Sequence, residues 1–194
     1  AGSNIVSSLS CYKQYKTYTM NTDIQRTTKY KFRLPNLATP EEFDELDTKK
    51  IATWASSIEK QCTVFLCGAS ISSAVTLQVC RILHEKAVKT DIVYFIPEIE
   101  LLSEDQALNE RAVRNILQNY TRSGVFEKMC IVSNLCLESL SGSTSVYDHY
   151  EQLNKIFSNI YYMIDVFTNT KPITSSLRKT KQQNRIYTIG ISSL

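Results

Sequence analysis

The amino-acid sequence predicts an α/β fold in which a mostly parallel, Rossmann-like sheet is flanked by helices. Short runs rich in β-branched and aromatic residues alternate with amphipathic stretches of helical periodicity. Several of these runs are apolar at consecutive positions, which is typical of strands with both faces buried. Because parallel strands need helical crossovers, the alternation favours a parallel sheet, and ligands are expected in the turns that follow the strands.

Five runs predict strands, at residues 16–21, 62–68, 91–97, 128–134 and 185–191. Helices are predicted for residues 39–60, 72–88 and 104–124. Thr39 is the expected N-cap of the first helix, with Pro40 at its first position and Glu42 at its third.

A long central helix is predicted to begin at Ser145, which forms a capping box with Asp148. Its apolar stripe repeats every three or four residues. The members of the stripe are Val146, Tyr150, Leu153, Phe157, Ile160, Ile164 and Phe167.

Composition narrows the class of protein. The 194 residues suit one domain, and the net charge of +3 gives no argument for a nucleic-acid or membrane partner. Six cysteines without a CxxC pair and two distant histidines support neither a metal site nor a Cys/His nucleophile. We therefore expect a cytoplasmic protein with reduced, mostly buried thiols.

The turn "FLCGASISSAV" is the most informative stretch of the chain. An apolar strand ends at Gly68, and the hydroxyl residues Ser70, Ser72 and Ser73 lead into a helix. Backbone N–H groups at a helix N-terminus can bind a phosphate, and serine hydroxyls add donors. The alternative is that Ser72 or Ser73 only caps the helix. The chain contains neither GxGxxG nor a Walker GxxxxGK[ST] motif.

Five stretches, read in chain order, resemble the tubulin/FtsZ superfamily. "AGSNIVSSL" is similar to the end of its first glycine-rich loop, and "YTMNTD" to a strand ending in the FtsZ-like "NTD". "GASISSA" falls at its GGGTG[ST]G loop, and "IVSNLCLESL" at a strand that ends in an Asn. "HYEQLNKI" looks like its central helix. The resemblance spans nearly the whole chain and implies that GTP or GDP binds, with Mg²⁺ as an optional companion. It also implies head-to-tail self-association into filaments.

The resemblance assigns a role to each candidate residue. The first phosphate loop would contain Gly2, Ser3 and Asn4, and the signature loop would contain Gly68, Ala69, Ser70, Ser72 and Ser73. Tyr150 would stack on guanine while Asn134 and Asn154 bond the edge of the base, since an amide offers both a donor and an acceptor. Asp23 would approach the phosphate or metal, and Glu104 and Asn109 would lie near the ribose.

Plainer interpretations stay open for the same residues. Tyr150 could be a core tyrosine beside a surface Asn154, Asp23 a solvated turn residue, and Glu104 and Asn109 members of a solvated helix face.

Departures from the family pattern limit what the resemblance implies. Ala69, Ile71 and Ser73 stand where the family prefers glycine, and the branched Ile71 would crowd a backbone that needs positive φ. The family's first strand is absent from the sequence. No Asp or Glu occurs between Val166 and Leu194, where the family supplies its catalytic acid. The catalytic residue is therefore unassigned, and GTP hydrolysis is expected to be slow or absent.

Residues 1–168 are thus expected to form a guanine-nucleotide domain that includes the central helix. Residues 169–194 would begin a second domain or form a final strand, and the chain looks incomplete. Two alternatives remain at this stage. One is a degenerate, non-hydrolysing homologue that acts as a structural or interaction module. The other is an unrelated α/β enzyme that binds a phosphorylated small molecule.

Overall fold

The computed structural model describes residues 2–141, 149–171 and 184–189, and these form an α/β structure with parallel sheets flanked by helices. The strands, in chain order, are β1 (Thr19–Asn21), β2 (Lys31–Arg33), β3 (Gln61–Cys67), β4 (Lys89–Ile96), β5 (Lys128–Ser133) and β6 (Ile186–Thr188). The helices are α1 (Gly2–Leu9), α2 (Pro40–Asp44), α3 (Thr48–Ala55), α4 (Ser73–Glu85), α5 (Glu104–Ser123), α6 (Asn134–Ser141) and α7 (His149–Asn169).

The main sheet contains four parallel strands in the order β3-β4-β5-β6. All five strands predicted from the sequence are present, although the one predicted at 16–21 is shortened to the three residues of β1. In the described residues, the one predicted at 185–191 is the three-residue β6. Strand β2 was missed because its three residues carry a single buried side chain, Phe32, between two exposed cations.

Both faces of β4 are covered, as its continuous apolar pattern predicts. Val93 and Phe95 pack on one face with α1, α6 and α7. Ile92 and Tyr94 pack on the other face with α4 and α5. Successive side chains of a strand point to opposite faces, so β4 lies at the centre of a three-layer arrangement.

The helix predicted at 39–60 is two helices. Its start is confirmed, since the Thr39 hydroxyl accepts from the Glu42 N–H, the Glu42 carboxylate accepts from the Thr39 N–H, and Pro40 stands at the first position. The prediction of one continuous helix was wrong. Helix α2 ends at Asp44, and Asp47 caps α3 by accepting from the Lys49 N–H at 3.0 Å. Asp competes for local backbone donors, so it favours a new cap over a helix interior.

The apolar stripe predicted for the central helix is buried only in its middle. Leu153 and Phe157 are buried, but Ile164 is 41% exposed and Phe167 is 81% exposed. Val146 and the proposed capping box of Ser145 and Asp148 lie outside the described residues. Beyond Phe157 the packed side of α7 continues through Tyr161, which donates to Thr63 at 3.0 Å, rather than through the aliphatic residues.

Strands β1 and β2 form a separate parallel ladder. Within the described residues, neither β1 nor β3 has a strand partner on its second edge. These two edges line a groove of about 630 Å³, whose wall also includes Gly2 and Ser3 of α1. Unpaired strand edges present a row of backbone donors and acceptors, so this groove offers hydrogen-bonding groups on two sides.

The six cysteines are free thiols. Burial raises the pKa of Cys62 to about 11 and the pKa values of Cys80 and Cys130 to about 12, so these three stay protonated at neutral pH. Cys11 and Cys136 are exposed. In the part of the chain that the structure describes, no helix combines the length and apolarity needed to cross a membrane.

Candidate functional site

The carboxyl ends of three neighbouring strands meet at one level. Cys67 of β3 pairs with Phe95 of β4, which in turn pairs with Val132 of β5. The turn that begins at Gly68 therefore lies on the same sheet edge as Asn134, which follows the end of β5 and begins α6. This is the edge at which parallel α/β sheets bind ligands.

Asn109 of α5 holds the turn after β3. Its side-chain amide donates to the Gly68 carbonyl at 2.7 Å, the Ser70 carbonyl at 3.1 Å and the Ser73 hydroxyl at 3.1 Å. The resemblance places Asn109 near a ribose, but in the structure its side-chain N–H groups are used to bond this turn.

A buried polar cluster of Tyr94, Glu110 and Arg114 lies next to Asn109 and fixes the position of this part of α5. The neighbouring Glu110 is 1% exposed and forms an ion pair with Arg114 at 3.0 Å. The fully buried Tyr94 hydroxyl donates to the Glu110 carboxylate at 3.1 Å. Burial, and secondarily the negative charge of Glu110, raises the pKa of Tyr94 far above its usual value, so the phenol remains a donor.

Gly68 fits tightly over this cluster. A Cβ at this position would overlap the Tyr94 hydroxyl and would lie 3.3 Å from the Glu110 Cα. Only glycine lets the strand end approach the tyrosine this closely. Sequence analysis missed Tyr94 and Glu110. The available signal was Glu110 on the same helical stripe as Val113 and Leu117, a charged residue on a buried face.

The N-terminus of α4 lacks a side-chain cap. Ser72 occupies the N-cap position but makes no cap hydrogen bond, and its hydroxyl instead lies 2.9 Å from the Ser70 hydroxyl. The Ser72 side chain therefore does not cap α4, contrary to one of the two interpretations of the sequence. Positive φ among the described residues occurs at Lys60, Ala87 and Gly124. The turn therefore contains no residue with positive φ, the conformation that a branched side chain such as Ile71 disfavours. The Ile71 side chain is 39% exposed.

The predicted first phosphate loop lies within α1. Gly2, Ser3 and Asn4 form the first turn of this helix rather than a loop before it. Gly2 packs against the Phe65 carbonyl of β3, where a Cβ would overlap the oxygen. The N-terminus of α1 is therefore close to the carboxyl half of β3.

The residues expected at the base lie on α6 and α7. Tyr150, in the first turn of α7 as described, is 70% exposed, so it is not a core residue. Asn154 is half-buried one turn later, and Asn134 is half-buried at the start of α6. The two helices pack together through Leu137 and Leu153.

Two predicted residues are peripheral. Asp23 lies in the exposed turn after β1, where its carboxylate accepts from the Asn21 amide at 3.4 Å. Glu104 is exposed at the first position of α5. Both positions fit the solvated interpretation that the sequence left open.

Two large grooves lie on the described part of the chain, and neither is lined by residues of the turn 68–73. The groove of about 630 Å³ between β1 and β3 includes Gly2 and Ser3, and a second of about 710 Å³ lies between β2 and α3. Neither is lined by Gly68, Asn134 or Tyr150. The described residues contain no group of three His, Cys, Asp or Glu side chains that could hold a metal ion.

Comparison of the chain with protein-family models and with curated proteins gave no match.

The contact between Gly68 and Tyr94 yields a prediction. Gly68→Ala should lower the free energy of unfolding by about 1 to 3 kcal/mol, because the new methyl overlaps a buried hydroxyl. In a Tyr94→Phe background the same change should cost less, since the overlapping oxygen is gone. Urea denaturation of both single variants and the double variant measures this coupling. Ser70→Ala, an exposed change in the same turn, is the control and should be nearly neutral. Strict additivity of the two changes would contradict the contact.

Proposed function

We propose that the chain is a guanine-nucleotide-binding module of the tubulin/FtsZ type that associates with copies of itself. One observation carries the proposal: three features lie together at one edge of the parallel sheet. They are the N-terminus of α4, which has no side-chain cap, the serine-containing turn held by Asn109, and the carboxyl ends of β3, β4 and β5. Nucleotides bind at this edge in parallel α/β folds.

The phosphates would bind at the turn of residues 68–73. The Ser73 N–H already donates to the Ser70 carbonyl at 2.9 Å. The next N–H groups at the start of α4 have no partner within the helix, and the helix dipole favours an anion there. The Ser70 and Ser72 hydroxyls can turn toward a phosphate, because within the described residues they bond each other and no further side chain or carbonyl. In this proposal Asn109 fixes the turn rather than the ribose, and Glu104 is the remaining candidate for a sugar hydroxyl. The start of α1, with Gly2, Ser3 and Asn4, would approach the same phosphates from across β3.

The base would lie against α7 and α6. An exposed tyrosine ring offers an aromatic face to a purine, and stacking of this kind is worth about 1 to 3 kcal/mol per base. Asn154 and Asn134 are half-buried on the two helices that meet there. Each amide can donate and accept, which suits the edge of guanine.

The groove between β1 and β3 has the size of a short extended segment. A residue of a packed strand occupies about 3.3 Å by 4.8 Å by 10 Å, or about 160 Å³. A groove of about 630 Å³ therefore matches about four residues of one extended strand. A strand lying there could pair with the edges of both β1 and β3 and join the two ladders into one sheet.

The proposal includes nucleotide binding without rapid hydrolysis. Attack of water on a γ-phosphate needs a group that orients or deprotonates the water, which typically contributes 10²- to 10⁴-fold. No carboxylate occurs from Val166 to Leu194. Asp23, in an exposed turn, is the acidic residue that could assist Mg²⁺ beside the phosphates.

A second candidate function is a non-hydrolysing structural homologue with weak or no nucleotide affinity. It is favoured by the absence of Lys and Arg from the stretch 61–80, so that no cation from that stretch adds to phosphate binding.

The serine turn gives the first test of nucleotide binding. Ser70→Asp combined with Ser72→Asp should abolish binding of GDP, because two carboxylates would face the phosphates. The fold should survive, since Asp is a preferred N-cap and favours the positive end of the α4 dipole. Calorimetric titration and thermal unfolding measure the two effects separately. The matched control is Ser70→Asn with Ser72→Asn, which adds similar volume without charge. Unchanged GDP affinity in the Asp variant would exclude the turn as the phosphate site.

The exposed ring on α7 gives the second test. Tyr150→Ala should weaken GDP binding by about 1 to 3 kcal/mol, or roughly 5- to 150-fold, through loss of stacking. Tyr150→Phe keeps the ring and should retain most of the affinity. Titration of both variants with GDP checks this pair. Equal loss in the two variants, or loss in neither, would remove Tyr150 from the base site.

A further inference from the structure

The groove between β2 and α3 is basic and has an apolar floor. Its volume is about 710 Å³, and Phe32 and Trp54 pack there with ring centroids 5.5 Å apart. No carboxylate is among its described lining residues. In the described part of the chain, none of its cations forms an ion pair. These cations, all exposed, are Lys29, Arg33, Lys49 and Lys50.

A ridge of opposite character follows β4 and includes the start of α5. It comprises residues 98–108, begins with the 3-10 turn Ile99–Leu101 and contains no Lys or Arg. Three apolar side chains project from it: Ile99 is 47% exposed, Leu101 76% and Leu108 66%. No salt bridge is formed by its carboxylates within the described ranges. These carboxylates are Glu98, Glu100, Glu104 and Asp105.

The two surfaces are complementary in charge and in polarity. One surface combines four cations with an apolar floor, and the other combines four carboxylates with exposed aliphatic side chains. Large exposed apolar side chains ringed by polar groups mark protein interaction sites. A phosphate-bearing ligand would satisfy the cations but would leave the apolar floor and the aliphatic ridge unused.

We propose that the 98–108 ridge of one copy of this chain docks into the basic groove of a second copy. The two surfaces share no residue, so the contact is heterologous and each bound copy presents a free ridge and a free groove. Such a contact propagates into open chains of subunits unless its rotation closes a ring. The inference rests on the self-association part of the proposed function and does not require that nucleotide bind.

The contact is expected to be weak and sensitive to salt. Each exposed ion pair contributes little, and interactions between charges farther apart than about 8 Å are largely screened at physiological ionic strength. Association should therefore rise with protein concentration and fall as salt is added.

Charge reversal tests the proposal. The groove variant carries Lys49→Glu and Lys50→Glu, and the ridge variant carries Glu98→Lys and Glu100→Lys. Each alone leaves one surface with two cations and two carboxylates while its partner surface is unchanged, so the net attraction is lost and self-association should weaken about tenfold or more in sedimentation velocity. In a mixture of the two variants, the unchanged groove of the ridge variant meets the unchanged ridge of the groove variant, which is the wild-type contact, so association should recover. The control, Lys13→Glu with Lys89→Glu, makes the same charge change at exposed positions outside both surfaces and should behave as wild type.

The measurements are made over a concentration series, at low and high salt, with and without GDP. A wild-type chain that stays monomeric throughout would overturn the proposal, as would a mixture that associates no better than its components. A control as weak as the groove variant would also overturn it. GDP binding is titrated in parallel on the same samples. If GDP binds but the charge-reversed variants associate as the wild type does, only this inference is wrong. If the variants and their mixture associate as expected but GDP does not bind, only the nucleotide site is wrong.

Discussion

The Tyr94 hydroxyl bonded to the buried Glu110 carboxylate is the interaction on which the arrangement at the sheet edge depends. It fastens α5 to the central strand at the point where Asn109, the preceding residue, reaches the turn after β3. A buried carboxylate is costly unless it is paired, and Arg114 and Tyr94 supply the pairing. Loss of the tyrosine hydroxyl would leave Glu110 with one fewer donor in a site that water cannot reach, a penalty of about 1 to 3 kcal/mol.

This cluster explains how the turn keeps its shape with the single glycine Gly68, whereas the proposed tubulin-like type has a glycine-rich phosphate loop at this place. In a glycine-rich loop the backbone takes positive φ and wraps the anion. Here no residue of the turn has a positive φ, and the Asn109 amide holds the turn by sharing its two N–H groups among two carbonyls and one hydroxyl. A phosphate would then meet the end of a helix and two hydroxyls rather than a nest of backbone amides. Affinity without that nest is expected to be modest.

The sequence predicted the α/β class, the main strands and the capping of α2, because these follow from local periodicity and short-range chemistry. It did not predict the break at Asp47 or the exposed end of α7, since burial there depends on which elements happen to cover the helix. The contact of the Asn109 side chain with the turn after β3 could not be predicted from the sequence either. Asn109 and Gly68 are separated by 41 positions and meet only through the register of β3 and β4. A polar residue on an otherwise apolar stripe, as at Glu110, was the available hint.

Selective binding of a guanine nucleotide is the central claim, and a parallel titration of the intact chain with GDP and ADP tests it most directly. The two ligands share their phosphates and ribose, so any difference reports the base edge that Asn134 and Asn154 are proposed to contact. The account predicts saturable GDP binding and at least about tenfold weaker ADP binding, the scale of one mismatched hydrogen bond of about 1.4 kcal/mol. Equal affinity for the two nucleotides, or no binding of either, would contradict it.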